Sequence, residues 1–255
     1  MINNRFSLVG KIALVTGGSR GIGRAIALGL ADTGADVAVA SRTLPDLEAV
    51  VREIEAREQR GLAVAADVGR TPDIEMITER VLDAFGHIDV LVNSAGISPV
   101  YTGALKITEA DWRRVLDVNL TGTFLMARAV GQLMVRAGQG SIINLVSIGA
   151  RVGLPRLAAY CASKAGVEAM TRVLALEWAE QGVRVNAIGP AYVSTDMTAG
   201  LRDHPRLGPA LLDQTPLGRF AATDDVVGAA IYLASDASSY VTGQTIFVDG
   251  GWLSR

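Results

Sequence analysis

The sequence predicts an α/β fold: a doubly wound parallel sheet in a single domain spanning residues 1–255. Three observations carry that prediction. Short apolar runs alternate along the whole chain with longer stretches of helical periodicity, the order that parallel strands and their crossover helices require. The first run leads straight into a glycine-rich turn, Thr16-Gly17-Gly18-Ser19-Arg20-Gly21-Ile22-Gly23, which opens a helix. Small polar residues then recur just past the ends of the runs, the edge at which such a sheet gathers its ligands.

Taken in order, 11–15 reads as the first strand, and Ala25, Ile26, Leu28 and Leu30 carry the helical pattern after the turn. Glycines at 17, 21 and 23 miss the G-x-G-x-x-G spacing. They serve the same physical end, because small residues let the backbone approach a pyrophosphate and the helix start presents free N–H groups to it. Residues 36–40 form a second strand, 46–60 a charged amphipathic helix, and 62–66 a third strand ending at Asp67. A helix over 71–85 and a strand over 88–92 follow, then one long helix over 108–137 opened by a Thr108/Asp111 capping box. A strand over 141–146, a second long helix over 158–179, a strand over 183–188, a helix over 224–235 and a last strand over 245–248 complete the alternation. The 197–214 segment is polar, contains prolines and is assigned no element.

Composition narrows the class. With 49% hydrophobic and 20% charged residues and a net charge of −2, the chain has no basic footprint for nucleic acid. No stretch approaches the roughly 18 uninterrupted apolar residues of a membrane span, and the start has no signal-peptide run, so an intracellular, cytoplasmic location is expected. A single cysteine excludes an internal disulfide, and two distant histidines, His87 and His204, make no metal cluster.

The chemistry centres on Tyr160-Cys161-Ala162-Ser163-Lys164, since residues four apart share a helix face and place a phenol beside an ammonium. A tyrosine titrates near about 10, so proton exchange near neutrality asks for a phenolate stabilised by about 3 units, which a neighbouring cation at low dielectric can supply. Glu168 and Arg172 continue the same spacing, and on that ground alone Lys164 reads equally as part of a solvated stripe of surface ion pairs. Cys161 points about 100° away from Tyr160 and reads as a small core residue. What favours a reactive Tyr160 is convergence: Thr16-Gly17, Asp67, Asn93-Ser94-Ala95-Gly96, Ser147 and Gly189-Pro190 each follow a predicted strand, so one ligand lying across the edge meets them all.

Thr16-Gly17-x-x-x-Gly21-Ile22-Gly23, Asn93-x-Ala95-Gly96, Asn119, Ser147, Tyr160-x-x-x-Lys164 and Pro190 followed by Thr195 together resemble the short-chain dehydrogenase/reductase family, over about Leu8 to Gly251. Ser94 and Ala191 depart from its pattern, which usually has asparagine at the first and often glycine at the second. The resemblance implies a Rossmann-like fold and an oxidoreductase that interconverts a ketone and a secondary alcohol by hydride transfer. Tyr160 would be the general acid or base, Ser147 would hold the substrate oxygen, Lys164 would favour the phenolate and bind the nicotinamide ribose, and Asn119 would help hold a water chain. It also implies a dinucleotide site made of Gly17, Ser19, Arg20, Gly21, Ile22, Ser41, Arg42, Asp67, Val68, Asn93, Ala95, Gly96, Tyr160, Lys164, Pro190, Val193 and Thr195, with the last at the carboxamide. No metal is called for.

At the end of the second strand, Val39-Ala40-Ser41-Arg42 lacks the carboxylate that an NAD site offers the ribose 2′-OH. Arg42 and Arg20 are instead placed for a 2′-phosphate, so NADP(H) is expected over NAD(H). The resemblance leaves a 3-oxoacyl reductase, a sugar or sugar-acid dehydrogenase and a carbonyl reductase open, with Arg151 and Arg156 available to an anionic substrate. Relatives commonly form tetramers through their two longest helices and last strand, and the apolar remainder of 158–179 asks for such a cover, so a homotetramer is expected. The alternative, a non-catalytic nucleotide-sensing module of the same fold, would be expected to lose Tyr160 or Lys164, and both are present.

Overall fold

The structure, a computed structural model, describes residues 5–254. Seven strands form one parallel sheet: β1 (Ile12–Thr16), β2 (Asp36–Ser41), β3 (Gly61–Ala65), β4 (Val90–Asn93), β5 (Gly140–Leu145), β6 (Val183–Pro190) and β7 (Thr245–Val248), in spatial order β3-β2-β1-β4-β5-β6-β7. The helices are α1 (Gly21–Asp32), α2 (Leu44–Glu55), α3 (Thr71–Phe85), α4 (Glu109–Leu116), α5 (Thr123–Ala137), α6 (Ala158–Trp178), α7 (Asp196–Arg202), α8 (Leu207–Asp213) and α9 (Val227–Ala234). Alternate strand residues point to opposite faces, and both faces are apolar. Val15, Val37 and Val39 pack with α1, α2 and α9 on one side. Leu14, Ala38 and Leu91 pack with α3, α5 and α6 on the other.

The chain runs outward through β1, β2 and β3, then returns to place β4 on the far side of β1. Thr16 is therefore in register with Ala40 on one side and Asn93 on the other. This reversal of winding opens a crevice above the C-terminal ends of β1 and β4, where a ligand can lie between diverging connections.

The strands match the sequence reading to within a few residues, while three helical predictions and one unassigned segment are corrected. α2 stops at Glu55 instead of reaching residue 60, because the chain turns through Glu58 at a φ of 61°, a left-handed conformation that ends a helix. The single helix expected over 108–137 is broken: α4 gives way to a π turn, Asp117–Gly122, before α5 begins. Its cap is half of the expected box, since Thr108 Oγ1 accepts from Asp111 N at 3.1 Å but the Asp111 carboxylate accepts the Thr108 hydroxyl. The helix over 224–235 begins as a 3-10 turn, Thr223–Val226. The 197–214 segment holds two helices of seven residues each, α7 and α8.

Candidate active site

Three elements bring the four expected reactive groups together. Tyr160 and Lys164 stand in the first turns of α6, Ser147 follows β5, and Asn119 lies inside the π turn. Ser147 and Tyr160 line the same cavity, and the Ser147 hydroxyl accepts from Gly149 N at 3.1 Å. Lys164 Nζ sits 5.9 Å from the Tyr160 ring centre and donates to the Leu145 carbonyl at 2.6 Å. Asn119, fully buried, uses both ends of its amide: Oδ1 accepts from Ile97 N at 2.8 Å, and Nδ2 donates to Ile97 O at 2.9 Å and to Ser163 Oγ at 3.2 Å. A π turn offsets the ladder of i→i+4 bonds and turns a side chain out of its regular row, which here aims Asn119 at the β4 loop and α6 at once. Ser163 Oγ in turn donates to the Tyr160 carbonyl at 2.7 Å, so loop, π turn and reactive helix are tied in one polar cluster.

The electrostatics differ from the sequence expectation. Burial pushes the Tyr160 phenol above its ordinary value, with the Ser147 hydrogen bond pulling it part of the way back. Burial also lowers Lys164 to about 8. Burial thus moves both groups toward their neutral forms, the phenol upward and the ammonium downward. The solvated-stripe reading is also corrected: Lys164 is 5% exposed and Glu168 3%, while Arg172 alone reaches water. Cys161 is half-buried, and a Cβ placed on Gly149 would stand 3.2 Å from its Sγ, so it packs under the turn after Ser147.

The residues of the turn and strand ends fit a dinucleotide. A Cβ on Gly17 would lie 2.8 Å from the Ala95 backbone, and one on Gly23 would lie 2.3 Å from the Gly17 carbonyl and 3.1 Å from Ser94 Oγ. These positions hold the β1 turn, the β4 loop and α1 closer than any side chain permits. Helix α1 has no side-chain cap at Arg20, which leaves its first N–H groups free for a pyrophosphate at Ser19 to Ile22. Ser41 Oγ and Asn93 Oδ1, at the ends of β2 and β4, are buried with no hydrogen-bond partner among the described residues, as groups awaiting a polar ligand are. Arg42, Asp67 and Gly69 line a crevice of about 340 Å³ with Arg113 and Arg114. Val68 is buried behind them, and the amide of Gly69 donates to Asp67 Oδ1 at 2.9 Å. Arg20 turns away from this crevice and pairs with Asp196 of α7 at 3.2 Å. Beyond β6, Pro190 leads to the buried Val193 and to Thr195, which caps α7 with Thr198.

Over Ser147 and Tyr160 opens a cavity of about 440 Å³. Its walls come from the turn after Ser147 (Leu154, Arg156) and from α7 with the loop that follows (Met197, Leu201, His204). Arg156 adopts a φ of 70° and its guanidinium lies 5.4 Å from the Tyr101 ring, while its carbonyl accepts from Thr102 N at 3.1 Å, latching two loops together over the cavity. His204 Nδ1 accepts from the amides of Arg206 and Leu207, both at 3.2 Å, which leaves the proton on Nε2. Of the two arginines expected to meet a substrate, Arg156 lines the cavity and Arg151 does not, being bound to Glu168. Tyr101 and Tyr192, which line the cavity, went unmarked in the sequence; the signal available was a large aromatic within a few residues of a strand-end motif.

Among the described residues no group of three or more His, Cys, Asp or Glu side chains is placed to hold a metal ion, and no helix is long and apolar enough to cross a membrane. A family model described as enoyl-(acyl carrier protein) reductase matches residues 17–253. The 2-dehydro-3-deoxy-D-gluconate 5-dehydrogenase of Escherichia coli (strain K12) is 40% identical over 256 residues, covering 100% of both chains. A 3-oxoacyl-[acyl-carrier-protein] reductase of Synechocystis sp. is 43% identical, over 96% of this chain and 98% of its own. The crystal structure of a gluconate 5-dehydrogenase from Burkholderia cenocepacia J2315 in complex with NADP and tartrate superposes with a TM-score of 0.96 at 35% identity, over 100% of both chains. With the sheet, the strand-end crevice and relatives aligned along its whole length in agreement, the chain belongs to the short-chain dehydrogenase/reductase family of oxidoreductases acting on alcohol and ketone groups.

Proposed function

We infer that the chain interconverts a ketone and a secondary alcohol with NADP(H) in preference to NAD(H), as a cytoplasmic homotetramer. The observation that carries the reaction is the meeting of Ser147 and Tyr160 in one cavity, beside a buried lysine. The bound dinucleotide supplies or accepts the hydride. Tyr160 gives a proton to the carbonyl oxygen during reduction and takes it back during oxidation, and Ser147 holds that oxygen in reach. In its protonated form the phenol is the acid that reduction requires, and as the phenolate it is the base that oxidation requires. Lys164 faces the gap at Gly96, where a Cβ would stand 3.6 Å from Nζ, and this gap is where the nicotinamide ribose is accommodated. Gly17 to Ile22 receive the pyrophosphate, Ser41, Arg42, Asp67 and Val68 the adenosine, Asn93 to Gly96 the floor between, and Pro190, Val193 and Thr195 the nicotinamide.

Arg156 and the Nε2–H of His204 favour a small, oxygen-rich substrate carrying an anionic group, such as a sugar acid. The relatives named for 2-dehydro-3-deoxy-D-gluconate and gluconate, one of them holding tartrate, support that reading. The apolar wall of Leu154, Leu157, Met197 and Leu201 supports a second, a short 3-oxoacyl chain. Oxidation of NADPH against ketones matched in size, with and without a carboxylate or an acyl chain, separates the two. On the best substrate, Tyr160→Phe should lower kcat by about 10² or more with cofactor affinity intact. A near-normal kcat in that variant, or no ketone or alcohol turned over by the wild type, would overturn the reading.

A further inference from the structure

Glu168 is a buried carboxylate for which the reaction above has no use. It stands one turn beyond Lys164 on α6, 3% exposed, and draws partners from separate parts of the fold. Arg151 Nε donates to both of its oxygens, at 2.8 and 3.0 Å, and Arg151 Nη2 approaches Oε1 at 2.6 Å. Thr245 Oγ1 on β7 donates to Oε1 at 3.0 Å, and Arg172 Nη1 lies 3.7 Å away. The Arg151 guanidinium also lies 5.6 Å from the Phe247 ring of the same strand. Taking a carboxylate out of water is costly, and apolar side chains of similar volume often stabilise a fold as well as a buried ion pair does. A bidentate arginine, however, fixes the direction of approach as well as the distance.

What this pair connects gives it a role. Arg151 ends the single 3-10 turn Ile148–Ala150 that begins at Ser147, and that turn is closed by Ala150 N on Ser147 O and Arg151 N on Ile148 O, both at 2.9 Å. A displacement of Arg151 is therefore passed to Ser147 through one short, hydrogen-bonded turn. Glu168 lies two helical turns beyond Tyr160 on the same rigid helix. The ion pair thus runs as a strut between the segment that carries the serine and the helix that carries the tyrosine and lysine, with β7 holding it from the side.

We propose that Arg151 and Glu168 are positioning residues, whose ion pair sets the separation of the Ser147 hydroxyl from the Tyr160 phenol. The proposal rests on the reading of Ser147 and Tyr160 as the pair that handles the substrate oxygen. Misplacing one member of such a pair by about 1 Å costs up to about 100-fold in turnover.

The test uses Arg151→Met, which keeps the aliphatic stem of a half-exposed side chain, and Glu168→Gln, each made in the wild type and in Ser147→Ala. Measured are kcat and KM on the ketone the wild type reduces fastest, and the NADPH dissociation constant by fluorescence. Both variants should lower kcat about 10- to 100-fold with NADPH affinity within about twofold, and neither should lower it further once Ser147 is gone. If Glu168→Gln fails to fold, Arg151→Met decides alone. An unchanged kcat in Arg151→Met, a loss of the same proportion in the Ser147→Ala background, or a matching loss of NADPH affinity would each overturn the proposal. Full turnover in both Ser147→Ala and Tyr160→Phe would instead bring down the underlying reading, and this one with it.

Discussion

Lys164 shows how burial sets the behaviour of a single residue. Its ammonium is 5% exposed, and desolvation lowers it from 10.5 to about 8. Between those two values the unfolded chain holds a proton that the folded chain has released, so stability rises with pH through that window, and below about pH 8 the full cost of burying the charge is present. Tyr160 acts in the opposite sense: its folded phenol titrates above the ordinary 10.0, so unfolding releases a proton at higher pH and stability declines there. Wild type should therefore gain stability relative to Lys164→Met as the pH is raised from about 7.5 to 9.5, read as the difference in urea midpoints. A difference that stays constant would show that the lysine is not held in a dry site. The Tyr160–Lys164 spacing was legible in the sequence because a helix converts four residues into one face. That Glu168 on the same face is also buried was not legible, since the spacing does not say what covers the face; Arg151 and Thr245, distant in sequence, do so.

At the scale of elements, the proposed preference for NADP(H) rests on the end of β2 and the turn after β1. β2 ends in Ser41 with its hydroxyl buried and unpartnered among the described residues, and Arg42 borders the crevice of about 340 Å³. Arg20 is engaged with Asp196, but both side chains are exposed, and such a pair contributes roughly 0–1 kcal/mol. A charge-assisted contact to a phosphate contributes about 1.5–3 kcal/mol, enough to draw Arg20 away. The expected outcome is a kcat/KM at least about tenfold higher with NADPH than with NADH, reversed or erased in Ser41→Asp/Arg42→Ala. A wild type that prefers NADH, or a double variant with an unmoved ratio, would show that these residues do not select. The strand ends behind this argument could be read from apolar runs and the residues that follow them. The π turn at Asp117–Gly122 could not, because it fits the same helical periodicity as its flanks and differs only in which carbonyl each N–H finds. α7 and α8 were hidden by their brevity and by Gly200, Pro205, Gly208 and Pro209, which punctuate the segment as a loop would.

At the scale of the whole molecule, apolar side chains remain in water along α6 and α5: Val173 is 51% and Leu176 82% exposed on α6, and Phe124 is 38% exposed on α5. A second subunit covering these helices would remove that surface from solvent. Light scattering of the wild type at micromolar concentration should give a tetramer, and Leu176→Glu should lower the mass by placing a charge in the contact; a monomeric wild type would reject the assembly. The sequence by itself determined the alternation of strand and helix, the strand-end motifs and the residues expected to react, because period, turn chemistry and motif spacing are local properties carried by neighbouring residues. Only the tertiary structure decided that burial raises the phenol, that Arg151 is committed to Glu168 while Arg156 faces the cavity, and that Arg20 turns to Asp196. Each of those depends on which groups from distant parts of the chain meet and on how much water is left between them, and neither is a property of any short stretch of sequence.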